Sequence, residues 1–336
     1  MSKSVLVIGA TGTMGSYLVP ELVKLGYAVT AVSLDMQKNP VPGVAYHTGD
    51  CFDMDFLAPL LAQKFDGIVN FMDFDAAHPF QDYYKSFLDN TDHYIYLSSC
   101  RVYADEEVPV KETSPRLLEV SKDERFLASS NYSLRKAKDE DLLWSTDYNN
   151  FTIVRPATTF GEMSFQLVTL ANKNTVGRAL KGKKVVLPIQ AKDKPATLCW
   201  GGDVARMIAR FMFKEETFRE AYNVCSSESH TWGEIADYYK ELCGLEAVWV
   251  DKEDYLKIIN PIPGAIGARW QLEYARMFRR ITDNTKMLAV TGLKQEEFMP
   301  LYDALKMMYA AIPQGYEFPE TEVGARMDKY LEENAL

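Results

Sequence analysis

SVLVIGATGTMGSYLVPELVKLG, residues 4–26, changes its periodicity within 23 residues. Val5 to Ile8 form an unbroken apolar run that stops at Gly9, as expected of a short strand covered on both faces. Apolar residues then recur at helical spacing through Leu18, Val19, Leu22 and Val23 and stop at Gly26. Strand, tight turn and helix follow in that order. The turn itself, GATGTMG, sets glycines at positions 9, 12 and 15. Gly9 permits a sharp bend, Gly12 lets backbone N–H groups approach a bound group, and Gly15 lets the helix lie close on the sheet. A helix amino terminus carries free N–H groups and partial positive charge, so the bound group is expected to be an anion. At a strand-to-helix turn this pattern predicts the pyrophosphate of a dinucleotide, held by Gly9, Thr11, Gly12, Thr13, Met14 and Gly15.

The same unit repeats outward. YAVTAVS reads as a second strand, VAYHTGD as a third, DFLAPLLAQKF as a helix and DGIVNFM as a fourth strand, apolar almost throughout. A helix from about Phe80 to Asn90 leads into HYIYLSS, the fifth strand, and a helix carrying Tyr132 leads into FTIVRP, the sixth. Six strands alternating with helices predict an α/β fold, a doubly wound parallel sheet with right-handed crossovers. Beyond Pro156 the texture changes to longer loops, more aromatic residues and a helix-rich tail. We therefore expect a dinucleotide-binding domain over residues 1–160 and a smaller, helix-rich substrate lobe over 161–336. The segment at about 197–225 reads as a return to the first domain, so the two are interleaved.

The 336 residues carry 37 basic and 47 acidic side chains, a formal net charge of −10, and 47% hydrophobic residues. That balance opposes attraction to nucleic acid or anionic lipid and favours a small-molecule substrate. No run of about 18 apolar residues occurs, and the amino terminus enters a strand directly, so the protein is expected in the cytoplasm, off the membrane. Cys51, Cys100, Cys199, Cys225 and Cys243 form no C-x-x-C pair and are expected as reduced, mostly buried thiols. His47, His78, His93 and His230 share no metal-ligand spacing and read as surface or loop residues, so no metal is expected.

Two clusters carry the chemistry. The fifth strand ends in Ser98 and Ser99, at the edge where open α/β sheets bind ligands. Tyr132 and Lys136 stand four apart on the next helix, one turn along the same face. An ammonium beside a phenol stabilises the phenolate, drawing its pKa from about 10 toward neutrality, so that the tyrosine can exchange a proton with a substrate hydroxyl or ketone. A second Tyr-x-x-x-Lys pair, Tyr302 and Lys306, has neither glycine turn nor serine strand before it and reads as two neighbours on a tail helix. At the end of the second strand the residue placed to read the adenosine ribose is Ser33, with Asp35 and Lys38 beyond it. NAD and NADP both remain open there, and the lack of an arginine for a 2′-phosphate weighs toward NAD.

Taken in order, GATGTMG, GDCFDMDFL, YLSSCRVY, YSLRKAKDE, VRPATTFGE, GGDVARMI, YNVCSSESHTWGEIA and DNTKMLAVTGL resemble the extended short-chain dehydrogenase/reductase family, in its NAD-dependent epimerase/dehydratase branch. The resemblance implies a Rossmann fold and catalytic roles for Ser99, Tyr132 and Lys136. It also implies cofactor contacts from Asp50, Cys51, Phe71, Met72, Tyr132, Lys136 and Pro156, and a homodimer built on the helix of Tyr132 and the one before it. The implied reaction is hydride transfer at a carbinol carbon of a sugar or sugar nucleotide, by an epimerase or dehydratase. An NADPH-dependent ketone or aldehyde reductase is the alternative, and a non-catalytic nucleotide-sensing or RNA-binding relative the third reading. Two departures stand out. Met72 and Asp73 occupy a stretch where such relatives carry small residues, so either the loop is shifted or the pocket is reshaped around an acid. Ala196 falls where they commonly carry an arginine for a diphosphate, leaving Arg269, Arg276, Arg279 or Arg280 as possible substitutes.

Overall fold

A computed structural model describes residues 2–262 and 264–336. Its centre is a parallel sheet of seven strands: β1 (Ser4–Ile8), β2 (Ala28–Ser33), β3 (Ala45–Thr48), β4 (Phe65–Asn70), β5 (Thr91–Leu97), β6 (Phe151–Pro156) and β7 (Glu220–Val224). Their order across the sheet is β7-β6-β5-β4-β1-β2-β3, and every pairing is parallel. The chain steps outward one way from β1 to β3 and the other way from β4 to β7. The crevice where these directions part lies between β1 and β4, beyond their carboxyl ends.

Alternation within β1 shows why the sheet is covered on both sides. Val5 and Val7 join Leu18 and Leu22 of helix α1 (Gly15–Lys24), whereas Leu6 and Ile8 join Leu57 and Leu60 of α2 (Met54–Leu61). Phe87 of α3 (Tyr84–Leu88) and Leu143 of α4 (Tyr132–Ser145) belong to the second of these layers. Helix α5 (Gly201–Phe211) lies with α1 in the first, so close that a Cβ on Gly201 would stand 2.4 Å from the Thr13 carbonyl. A separate core, with Phe165, Leu187, Trp232, Tyr239, Tyr255, Leu305 and Met327, is built from residues after Phe160.

Three expectations need correction. The helix foreseen from Phe80 to Asn90 is a 3₁₀ turn, Phe80–Asp82, followed by the short α3; Phe80, Tyr83 and Phe87 all turn into one aromatic core. The fourth strand stops at Asn70 and not at Met72, because the Asn70 side chain accepts the Met72 N–H at 2.9 Å and turns the chain out of the ladder. His93 is neither a surface nor a loop residue: it is fully buried in β5. Its Nε2 lies 2.8 Å from Thr152 Oγ1 and its Nδ1 accepts the Phe213 N–H at 2.9 Å. Burial pushes its pKa down to about 3, which keeps the ring neutral.

Helix α4 is fixed to the sheet by a buried ion pair. Glu140 has no solvent exposure and accepts from Arg155 of β6 at 2.8 and 2.7 Å, from Arg116 at 2.9 Å and from the Ser98 hydroxyl at the end of β5. Arg155 also donates to the Tyr103 hydroxyl at 2.8 Å. Removing one partner of such a pair strands the other charge in the core. Glu140→Ala should therefore cost about 3–5 kcal/mol in urea unfolding, a loss typical of a broken buried pair. A loss below about 1 kcal/mol, the scale of a surface pair, would show that Glu140 does not anchor the helix.

Candidate active site

The glycine turn has the geometry its spacing foretold. Gly9 sits at φ +81°, in the left-handed region, and its N–H donates to the Val32 carbonyl at 2.9 Å. A Cβ on Gly15 would lie 2.3 Å from the Gly9 carbonyl oxygen, so no larger residue lets α1 start so close to the turn. The cleft above this turn encloses about 510 Å³ and is lined by Gly9, Thr11, Gly12, Thr13, Met14 and Gly15 together with Ser33, Asp50, Cys51, Phe71 and Met72. Asp35 and Asp73 line it as well, and no lysine or arginine does among the described residues. The Ser33 hydroxyl is engaged internally, accepting the Thr11 N–H at 3.0 Å. A glycine turn closed on its own carbonyl and opening at a helix amino terminus suits a dinucleotide pyrophosphate.

Beside it a second cavity of about 250 Å³ is lined by Ser99, Cys100, Arg101, Tyr132, Ala157, Thr158, Thr159, Gln166 and Arg276. Tyr132 is the first residue of α4, whose amino terminus is capped by Asn131 accepting the Ser133 N–H at 3.0 Å. Ser99 stands where β5 gives way to a turn, its Oγ accepting the Arg101 N–H at 3.2 Å. Lys136, 1% exposed, donates from Nζ to the Leu97 carbonyl at 2.9 Å, with Nζ 5.7 Å from the Tyr132 ring centre and 3.8 Å from Asp73 Oδ1. Ser99, Tyr132 and Lys136 are thus brought together. Pro156 is not: it is buried in the ladder opposite Val224 and lines neither cavity, whereas its successors Ala157, Thr158 and Thr159 do. Tyr302, on the tail helix Leu301–Ala310, donates its hydroxyl to Glu241 instead.

Electrostatics correct the simple view of the tyrosine. Burial, and next the Asp73 carboxylate, push the Tyr132 pKa up to about 12; the Ser99 hydroxyl and the Arg101 guanidinium pull the other way. Desolvation of the phenolate outweighs the nearby cations, so Tyr132 rests as a neutral phenol and not as the acidic group expected beside Lys136. Lys136 itself is lowered, first by burial. The cation nearest the ring is Arg101, its guanidinium carbon 4.8 Å from the ring centre. Sequence reasoning passed over Arg101, whose only signal was a lone basic residue inside the otherwise small and apolar SSCRVYA. Asp73 belongs to the site: it lies 3.5 Å from Arg135 Nη2 as well as near Lys136, with its side chain 58% exposed.

Of the four substitute arginines, two reach this region. Arg276 closes a π-helical turn, Leu272–Arg276, and enters the smaller cavity, while Arg280 is buried beside it and donates to the Tyr103 carbonyl at 2.9 Å. Arg269 pairs with Glu253 and Glu273, and Arg279 with Asp105, away from both cavities. Ala196 lines the narrow space between Arg276 and Arg280.

The two charges that act oppositely on Tyr132 can be separated. Asp73→Asn should lower the Tyr132 pKa and Arg101→Gln should raise it, as read by NMR of ¹³Cζ-labelled tyrosine with Tyr132→Phe assigning the signal. Ionisation of wild-type Tyr132 below pH 8 would contradict the burial argument.

Comparison with known proteins places this geometry. The fold matches UDP-glucose 4-epimerase of Thermus thermophilus, solved with NAD, with a TM-score of 0.66 and 18% identity over 93% of this chain and 100% of that one. It matches dTDP-glucose 4,6-dehydratase of Bacillus anthracis, in complex with NAD, with a TM-score of 0.68 and 17% identity over 92% and 96%. For UDP-glucuronic acid 4-epimerase of Bacillus cereus, in complex with UDP-glucuronic acid and NAD, the values are 0.66 and 17% over 93% and 100%. At such identities the likeness is one of fold. A search of curated proteins finds no match. A model of the NAD dependent epimerase/dehydratase family, however, matches residues 5–225, which include the glycine turn, Ser99, Tyr132 and Lys136, and the chain belongs to that family.

Proposed function

We propose that the chain is an NAD-dependent epimerase acting at a carbinol carbon of a sugar or sugar nucleotide. The observation that carries this reading is the convergence of Ser99 and Tyr132 on one cavity beside the glycine-turn cleft, with Lys136 packed behind the phenol. The cofactor would lie along Gly9, Thr11, Gly12, Thr13, Met14 and Gly15 and supply the hydride acceptor and donor. NAD is favoured over NADP because Asp35 lines the cleft while no lysine or arginine does among the described residues; a carboxylate suits a ribose hydroxyl and repels a phosphate. The solved neighbours that carry NAD support the same choice.

Ser99 Oγ and Tyr132 Oη would hold the substrate oxygen between them. Once its own proton has been given up to solvent, Tyr132 as the phenolate would take the hydroxyl proton as hydride leaves the same carbon, and would return it when hydride comes back on the other face. Ser99 favours the phenolate that the first step requires, as does Arg101 while no anion engages it. A dehydratase must in addition remove a C–H proton next to a ketone and protonate a departing hydroxyl. Among the described residues the carboxylate nearest these groups is Asp73, 3.8 Å from Lys136 Nζ and lining the larger cleft. One observation favours a second reading. A tyrosine resting as a neutral phenol is ready to donate a proton to a ketone, the direction a reductase uses.

The separate core after Phe160 would form the substrate lobe, with the return at about 197–225 closing on the dinucleotide domain, and α4 would contribute to a homodimer, as the family resemblance implies. No helix among the described residues is long and apolar enough to cross a membrane.

The test is incubation of purified protein with UDP-glucose and with UDP-glucuronic acid, followed by chromatography of sugars and of released cofactor. The epimerase reading expects bound NAD, no net change at 340 nm and appearance of the epimer. Tyr132→Phe should slow turnover by about 10²–10⁴-fold, the scale of a lost general acid–base, with NAD still bound. Stoichiometric oxidation of reduced cofactor would select the reductase, and absence of any dinucleotide binding would overturn both.

A further inference from the structure

Buried arginines in this protein normally have a carboxylate. Arg155 pairs with Glu140 and Arg178 with Asp328. Arg280, also buried, and the half-buried Arg101 and Arg276 differ: none of the three has a carboxylate within ion-pair distance among the described residues. Arg280 is held by the carbonyls of Tyr103 and Ala104, and Arg276 by the Thr158 hydroxyl and the face of Trp232 at 5.8 Å. Arg101 makes no side-chain hydrogen bond at all among the described residues. The Nε atoms of Arg101 and Arg276 are both buried without a partner. Burial and mutual repulsion push Arg276 down to about 10, and burial lowers Arg101 and Arg280 as well. The nearest acids, Asp73 and Asp105, lie against Lys136 and Arg279, so three like charges stand together without an ion-pair partner of their own, an arrangement that a bound anion would complete.

Its position says where that negative group must be. Arg101 and Arg276 line the same 250 Å³ cavity as Ser99 and Tyr132, and Arg101 stacks against the Tyr132 ring at 4.8 Å. An anionic group in the fork of these guanidiniums is therefore close to the oxygen that Tyr132 and Ser99 hold. Resting on the hydride-transfer reading above, we propose that the substrate carries an anionic group, a carboxylate or a phosphate, on or beside the carbon chain next to its reacting carbinol, bound by Arg101 and Arg276 with Arg280 behind them. Guanidinium forks bind planar carboxylates and phosphate oxygens in pairs of parallel hydrogen bonds, which also fixes the face of the carbinol presented for hydride transfer. A neutral hexose in the same place would leave the three charges uncompensated. Discrimination then comes from the pocket's unpaired cations as much as from new contacts.

The experiment uses the NAD-saturated protein with D-glucuronate, D-glucose 6-phosphate and D-glucose as probes, binding being measured by calorimetry in wild type, Arg101→Gln and Arg276→Gln. At least one anionic probe should bind tenfold or more tighter than glucose, and both variants should abolish that preference. Preference for glucuronate assigns the carboxylate, and preference for glucose 6-phosphate the phosphate. The variants should also melt at equal or higher temperature than wild type, because each removes one of three neighbouring like charges that have no ion-pair partner. A merely structural arginine would lower the melting temperature instead. Equal binding of the three probes to wild type, or an anion preference that survives both substitutions, overturns the proposal while leaving NAD binding and the role of Tyr132 intact. Failure of wild type to bind NAD would overturn the functional reading on which it rests.

Discussion

Glu140 ties three parts of the molecule to one point. Its carboxylate accepts from Arg155 in β6, from Arg116 and from Ser98 at the end of β5, while the helix it belongs to begins with Tyr132. Catalysis by a tyrosine on a helix and a serine on a strand end requires the two elements to keep their spacing within fractions of an ångström. Bidentate pairing in a site without solvent supplies that constraint, and Lys136, donating to the Leu97 carbonyl one turn along α4, adds a second tie to the same strand. The first βα turn is held independently, by the close contact of Gly15 with the Gly9 carbonyl. The glycine-turn cleft and the pair Ser99 and Tyr132 are thus fixed by separate devices on one sheet.

Between them lies a balance of charges. Asp73, which lines the larger cleft, approaches Lys136, and Arg101, which lines the smaller cavity, covers the Tyr132 ring. Each biases the phenol in the opposite sense, and in the absence of ligands burial prevails. The protonation state of Tyr132 is consequently something that bound ligands can move. An anion that engages Arg101 cancels its pull and holds the phenol protonated, the state that donates a proton to a ketone.

Much of this was legible from the chain itself, for identifiable reasons. The sheet could be read because β1 carries an unbroken apolar run and β4 and β6 carry Ile68–Val69 and Ile153–Val154 at their centres, and the glycine turn because its three glycines sit between a strand and a helix. Tyr132 and Lys136 could be told from Tyr302 and Lys306 by what precedes them. What escaped depends on contacts between residues distant in sequence. His93 is buried because Thr152 and Phe213 offer it hydrogen bonds, 59 and 120 residues away. Arg276 and Arg279 look alike on paper, yet a π-helical turn sends one into the cavity and Asp105 holds the other outside. Arg101 carried no signal of its own, since only the folded arrangement shows that no carboxylate meets it. The direction of the Tyr132 pKa could not be read either, because spacing reports the neighbouring cation but not the depth of burial.

The central claim is that hydrogen leaves and rejoins one carbon through a bound nicotinamide while Tyr132 handles the proton on oxygen. A sugar nucleotide deuterated at the reacting carbinol carbon, turned over in ordinary water and analysed by mass spectrometry, tests it most directly. The account predicts that the epimer retains its deuterium. Loss of the label to solvent would mean that the carbon is deprotonated by a base, and would contradict it.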